Sequence, residues 1–247
     1  MNRYLFGAMI LAVAACSKGE SAQAFATPAK ETLSRDTVAL ATQDNVVKAR
    51  AESTVVAESP RPSGAKIDTA AFAGGCFWSM ERPFQHVPGV VSTTVGYAGG
   101  HTKNPTYEEV NTRTTGHAET VQVVFDPSQV TYEKLLDVYW HNIDPVTRDR
   151  QFCDGGSDYR TVIFAYGTAQ LSAANASKAA LDKSGKLSRP IVTEVVAAGP
   201  FWEAEEYHQH FADRNPARYE AYRRGCGRDA RLTEIWGAAA APYVPHN

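Results

Sequence analysis

The stretch TAAFAGGCFWSMERPFQ (residues 69–85) decides how the whole chain is read. Residues 69–73 form a short run of strand length, and Gly74-Gly75 interrupts it. Residues 76–85 then read as a helix that Pro83 should bend or shorten. This strand–turn–helix order puts Cys76 at the first helical turn. Unpaired N–H groups and the macrodipole there favour negative charge, which lowers a thiol pKa from ~8.5 toward ~7. The glycines allow another molecule to approach the backbone closely. Phe77 and Trp78 follow the thiol directly and offer an apolar wall, as a methyl-bearing substrate would require. The alternative is that Cys76 is a packed small hydrophobe and the two aromatics belong to the core.

Outward from this unit, strands are expected at 90–97, 117–125, 159–166 and 191–197. Helices are expected at 131–143, 168–184, 203–214 and 216–224, with Thr131 as an N-cap and Gly185 as a stop. The alternation predicts an α+β domain: an α/β two-layer sandwich in which helices pack on a mixed β-sheet. Glycine- and proline-bearing loops interrupt it at 98–116, 144–158 and from 225 onward. Loops this long in a compact domain are usually functional. In the strand HAETVQVVF, Glu119 shares a face with Val121, Val123 and Phe125. A carboxyl held among apolar neighbours stays protonated near neutral pH, the state a general acid needs. The other reading places Glu119 at an exposed strand end as a solvated charge.

The 247 residues are 43% hydrophobic, enough for one sizeable core. A formal net charge of −2 argues against a nucleic-acid partner. Arg3, the apolar run LFGAMILAVAA and small residues before Cys16 describe a secretory signal over residues 1–15. VAAC (13–16) resembles the lipobox of bacterial lipoproteins, which implies cleavage before Cys16 and lipid attachment to it. Residues 17–66 hold one aromatic, Phe25, and cannot bury enough apolar surface to offset their ordering entropy. The expected organisation is therefore a signal at 1–15, a lipid-anchored tether at 16–66 and a catalytic domain at 67–247. With Cys16 lipidated, Cys76, Cys153 and Cys226 remain. An odd count in an exported domain points to a free reactive thiol or exchange between pairs. Their wide spacing does not resemble a zinc site, and no metal is expected.

GGCFWSME, GYAGG (96–100), NPTYEEV (104–110), GHAETV (116–121) and CDGGSDYR (153–160) together resemble the A class of peptide-methionine sulfoxide reductases. YHQHF (207–211) and NPARY (215–219) extend the resemblance, which covers roughly residues 67–237. It implies reduction of the S epimer of methionine sulfoxide, free or in proteins. Cys76 would attack the sulfoxide sulfur and Glu119 would protonate the departing oxygen. By the same resemblance Tyr107 and Tyr159 hydrogen-bond that oxygen, Asp154 helps to order the site, and Phe77 and Trp78 hold the substrate methyl. The Cys76 sulfenic acid must then condense with a second thiol. No bound cofactor is implied, only an external thioredoxin-like dithiol reductant.

Cys226, in RRGCGRD, has flanking glycines and arginines, and reads as a mobile, exposed resolving thiol. Asp154 should slow attack by its neighbour Cys153. A Cys76–Cys226 disulfide is therefore expected after one turnover, with Cys153 dispensable or a relay. The expected setting is a monomer in the periplasm, its only membrane contact a lipid anchor, with the outer membrane favoured. Two rival classes stand beside this reading. One is a cysteine hydrolase using His117 or His208 as base; the other is a non-catalytic surface lipoprotein.

Overall fold

The computed structural model of the protein describes residues 66–237 and Ala240. The expected signal, the lipidated Cys16 and all but the last residue of the tether lie outside the described residues.

The opening unit folds as its sequence suggests: β1 (Asp68–Gly74) runs through the glycines into α1 (Phe77–Gln85), which stops two residues past Pro83. Then follow β2 (Val90–Ala98), α2 (Tyr107–Asn111), β3 (Ala118–Phe125) and α3 (Tyr132–His141). A small hairpin, β4 (Arg150–Gln151) and β5 (Asp154–Gly155), leads through a 3-10 turn at Ser157–Tyr159 into β6 (Thr161–Ala165). After α4 (Gly167–Lys183) come β7 (Glu194–Ala197) and β8 (Phe201–Glu203). The chain ends in α5 (Phe211–Arg214), α6 (Pro216–Gly225) and α7 (Arg228–Trp236).

Six strands form one sheet in the order β7-β6-β1-β3-β2-β8. Only the β6–β7 pair is parallel, so the sheet is mixed and the α+β class holds. Alternation along β1 sends Ala70 and Phe72 to one face, and Ala71 and Ala73 to the other. On the first face Phe72 stacks on Phe84 and Tyr139, each with ring centroids 5.1 Å away. Burying a Phe of this kind contributes about 2–3 kcal/mol. The Tyr139 hydroxyl also donates to Ala73 O at 2.9 Å, tying α3 to the strand that delivers Cys76.

The two turn glycines are obligatory for steric reasons. A Cβ on Gly74 would lie 2.7 Å from Met80 Sδ, and Gly75 has φ +86° with Gln151 Cβ only 2.5 Å from its Cβ position. The Met80 side chain of α1 and the Gln151 side chain of β4 thus pack directly on the glycine backbone.

Three expectations are corrected. Residues 203–214 do not form one helix: Glu206–His208 is a 3-10 turn, and His210, at φ +51°, separates it from α5. The chain beyond 225 is not loop; it resumes as α7 after Gly227 at φ +67°. The loop at 98–116 carries α2, whose capping box joins Thr106 and Glu109.

Candidate active site

Cys76 is the N-cap of α1, and its carbonyl accepts from Ser79 N (3.0 Å) and Met80 N (3.2 Å). Its thiol is buried, 7% exposed, and reduced. The expected lowering of its pKa is not found. Burial pushes the thiol well above the usual range, and the Glu119 and Asp154 carboxyls push it the same way. A hydrogen bond from Tyr222 and the Trp78 backbone oppose this without prevailing. Desolvation outweighs the helix terminus here, so the resting sulfur is a thiol.

Glu119 lies at the end of β3, 3% exposed, on the face it shares with Val121, Val123 and Phe125. Its Oε2 accepts from Phe77 N at 2.9 Å, which fixes the carboxyl beside the residue after Cys76. Burial raises its pKa well above the ordinary carboxylate value; the Phe77 N–H works against this, and Asp154 and Asp158 add to it. Glu119 is therefore a protonated acid one residue from the thiol.

Tyr107 and Tyr159 both lie within electrostatic range of Cys76 and Glu119, and burial raises both phenols. Glu205 holds Tyr107 by accepting from its backbone N (2.9 Å), while its second oxygen accepts from Tyr97 (3.0 Å). Asp154 is presented by the β4–β5 hairpin, paired with Gln151. Gln151 is fully buried and bonds Asp144 N and O at 2.9 and 2.8 Å, which fixes this loop.

The two aromatics after Cys76 have different surroundings. Phe77 is 1% exposed and packs with Val95, Tyr97 and Val110. Trp78 is half-buried, lies flat on Phe211 at 3.7 Å, and donates from Nε1 to His208 Nδ1 at 3.1 Å. Phe77 is a core residue behind the site, and Trp78 retains accessible surface.

Neither histidine of the hydrolase alternative addresses Cys76. His117 takes the Gly100 N–H on Nδ1 (3.1 Å), and its Nε2 is 2.7 Å from Thr102 O. It pins the GYAGG loop to β3. His208 faces Trp78, Phe77 and Tyr107.

Cys153 and Cys226 form a disulfide with Cα atoms 4.9 Å apart. This is not the Cys76–Cys226 pair expected after turnover. Cys226 caps α6 between the exposed Gly225 and Gly227; it is itself half-buried, with its N–H on Tyr222 O at 2.9 Å. The β4–β5 hairpin reaches this junction, so Cys153, the exposed member, meets it there.

Two residues of the site escaped the sequence. The Tyr222 hydroxyl hydrogen-bonds Cys76 and donates to Asp154 Oδ2 at 2.5 Å, while its ring meets the Trp78 ring edge-on at 6.0 Å. Arg228, 1% exposed, donates to Asn142 O (2.7 Å) and Gly74 O (3.2 Å) behind the glycine turn. Burial and Arg223 bring its pKa down to about 10, and Cys76 and Tyr222 lie within its field. Spacing holds the only clue to Tyr222, one helical turn before Cys226.

Chemically, the arrangement joins a desolvated thiol, a protonated acid and a ring of phenols beside an indole. That set can deliver a sulfur nucleophile and a proton to one polar atom on an apolar molecule. A family model described as peptide methionine sulfoxide reductase matches residues 68–240. A peptide methionine sulfoxide reductase MsrA from Bacillus subtilis is 52% identical over 173 residues, covering 70% of this chain and 98% of that protein. Another from Listeria monocytogenes is 49% identical over 170 residues, covering 69% and 96%. The fold is similar to methionine sulfoxide reductase A of Corynebacterium diphtheriae (TM-score 0.55, 38% identity, 61% of this chain and 76% of that one). It is also similar to reduced Mxr1 from Saccharomyces cerevisiae (TM-score 0.59, 30% identity, 64% and 90%).

Proposed function

The chain belongs to the peptide methionine sulfoxide reductase family, and from the geometry around its buried thiol we infer that Cys76 is the nucleophile and Glu119 the acid. The reaction is the thiol-dependent reduction of methionine-S-sulfoxide to methionine. One observation carries the residue assignment: the Phe77 N–H holds a buried, protonated Glu119 against the residue that follows Cys76. Cys76 attacks the sulfoxide sulfur, and the proton from Glu119 turns the departing oxygen into a hydroxyl. That hydroxyl passes to Cys76 as a sulfenic acid. Tyr107 and Tyr159, neutral because burial raises them, can donate to the same oxygen, and Trp78 offers its ring to the methyl group. The test is a reductase assay on each sulfoxide epimer of a methionine peptide with dithiothreitol, followed by mass spectrometry of the cysteines. Methionine should form from the S epimer alone, and Cys76→Ser should abolish it. Thiol-dependent ester hydrolysis without sulfoxide reduction would favour the hydrolase instead.

The dithiol reductant is thioredoxin-like, supported by the exposed position of Cys153 in the disulfide. The setting we assign is the periplasm, with the chain exported by residues 1–15, acylated at Cys16 and tethered by residues 16–66. VAAC and the polar composition of 17–66 support this, and Ser17 after the cysteine favours the outer membrane. Cys16→Ser should release the protein from membranes or block its processing, as read by fractionation and intact mass. Unchanged membrane association would remove the anchor.

A further inference from the structure

A dithiol reductant that opens the Cys153–Cys226 disulfide leaves two thiols beside a carboxylate. Asp154 follows Cys153 directly, and the β4–β5 hairpin brings both to Cys226, 73 residues from Cys153 in sequence. Cys153 Sγ lies 3.5 Å from Asp154 Oδ1, and Cys226 Sγ lies 3.8 Å from Oδ2. The two sulfurs and a carboxylate oxygen fall within 4.8 Å of one another. In a tetrahedral zinc site, bonds of ~2.3 Å to sulfur and ~2.1 Å to oxygen place those ligand atoms ~3.6 Å apart. Both sulfur–oxygen distances already match. The sulfurs must stand ~3.8 Å from each other, and breaking their bond frees them to separate by side-chain rotation.

We propose that the reduced protein binds a divalent cation of the zinc class on Cys153, Cys226 and Asp154, and that the bound cation suspends recycling. This deepens the methionine sulfoxide reductase reading: the binding stands on the geometry, and its effect on recycling rests on that reading. Two thiolates and one carboxylate suit a borderline-soft ion, whereas calcium and magnesium require sets of oxygens. Cys153 is exposed, so water completes the coordination from the solvent side. The supports of the ligands are in place. The Tyr222 hydroxyl donates to Asp154 Oδ2 at 2.5 Å, which orients the carboxylate and leaves Oδ1 for the metal. The Cys153 N–H points at Cys226 Sγ from 3.3 Å, a donor suited to a metal-bound thiolate. Three ligand charges and a divalent cation sum to one negative charge. The Arg228 guanidinium, held over the Phe152 ring at 4.4 Å, acts on Asp154 and balances it.

The chemistry closes as follows. The dithiol reductant supplies two electrons and two protons to the disulfide, giving two thiols. Binding the cation releases those two protons to solvent and forms two sulfur–metal bonds and one oxygen–metal bond. The Cys226 electron pair is then engaged, so it cannot attack the Cys76 sulfenic acid. No disulfide forms and no water leaves until the metal is removed.

The experiment uses the full chain carrying Cys16→Ser, reduced with a phosphine because a dithiol would compete for the metal. Zn2+ is titrated against a chromophoric chelator, and Co2+ serves as the spectroscopic probe. The reduced protein should bind one Zn2+ with a Kd below about 1 μM, and the disulfide form at least about 10²-fold more weakly. Cys153→Ser and Cys226→Ser should each weaken binding by about 10²-fold or more, and Asp154→Asn by about 10-fold. Cys76→Ser should bind as the parent does. Co2+ should show thiolate charge transfer with tetrahedral d–d bands. Unchanged binding in Asp154→Asn, or loss of binding in Cys76→Ser, would overturn the site. Should a serine variant fail to fold, the Co2+ spectrum of the parent decides, and an octahedral spectrum without thiolate charge transfer would overturn it. A second measurement reads the recycling. Phosphine-free reduced protein is given methionine-S-sulfoxide peptide with and without Zn2+, and its cysteines are mapped with a sulfenic-acid trap present. Per methionine formed, Zn2+ should replace disulfide by trapped Cys76 sulfenic acid, and a chelator should restore the disulfide. Equal disulfide yield with Zn2+ bound would overturn the block. A parent protein that binds Zn2+ but forms no methionine without it would overturn the reductase reading alone, which distinguishes the two failures.

Discussion

Glu119→Gln should slow sulfoxide reduction by about 10²–10⁴-fold while leaving the fold intact, the usual worth of a positioned acid. The amide is close in shape and its oxygen can still accept the Phe77 N–H that fixes the carboxyl at 2.9 Å. What it lacks is an acidic proton. In the wild type, burial first, then Asp154 and Asp158, hold the carboxyl protonated, so the active form is present at neutral pH. Its folded pKa lies above its unfolded one. The catalytic proton is therefore held until pH rises through the folded value, while the stability contribution is complete below the unfolded pKa and is lost as pH rises through the folded value. The wild-type rate should show this alkaline limb and the glutamine variant should not, and the variant's Tm should fall less on the alkaline side. Single-turnover rates and thermal melts over a pH series measure both. Near-normal turnover of the variant at neutral pH would remove Glu119 from the mechanism.

Cys226→Ser should reduce one equivalent of substrate and then stop with a thioredoxin-type reductant. The order of burial supports this: Cys76 is buried, Cys226 half-buried and Cys153 exposed. Cys226 also sits one turn after Tyr222, the residue in contact with Cys76. Oxidation should thus pass from the Cys76 sulfenic acid to a Cys76–Cys226 disulfide with release of water. Attack by Cys153 on Cys226 then frees the Cys76 thiol and leaves the observed pair, whose Cα separation of 4.9 Å is within normal disulfide range. Cys153 becomes a relay in this sequence. Cys153→Ser should still cycle, more slowly, and accumulate Cys76–Cys226 in peptide maps. Continued cycling of Cys226→Ser, with Cys153→Ser halted after one equivalent, would reverse the assignment.

The strand–glycine–helix unit was legible because its signals are local: a short apolar run, two glycines and a helix-breaking proline. Glu119 was legible because alternation along β3 fixes its face whatever lies opposite. The stretch 203–214 misled because its composition favours helix while tertiary contacts override it. Gln209 there bonds Val95 N, Val95 O and Ala204 O, replacing the backbone bonds that a helix would make. The helix α7 was hidden by the glycines around Cys226, although Leu232 and Trp236 stand at helical spacing and are both buried. The pKa of Cys76 was misjudged in sign because local sequence reports the helix terminus but not the depth of burial. Tyr222 and the Cys153–Cys226 pair depend on α6 and α7 packing against the β4–β5 hairpin, some 70 residues distant in sequence, which no local pattern encodes.

Arg228 fastens α7 beneath the glycine turn through Gly74 O and Asn142 O, and this has a consequence for biosynthesis. Cys76 leaves the ribosome about 150 residues before Arg228. At ~5–20 residues per second, roughly 8–30 seconds separate the nucleophile from the residues that complete its surroundings. Throughout that interval the thiol lacks both the Tyr222 contact and the field of Arg228. A nascent chain therefore carries an ordinary cysteine, and the reaction centre is assembled only when the last helices dock.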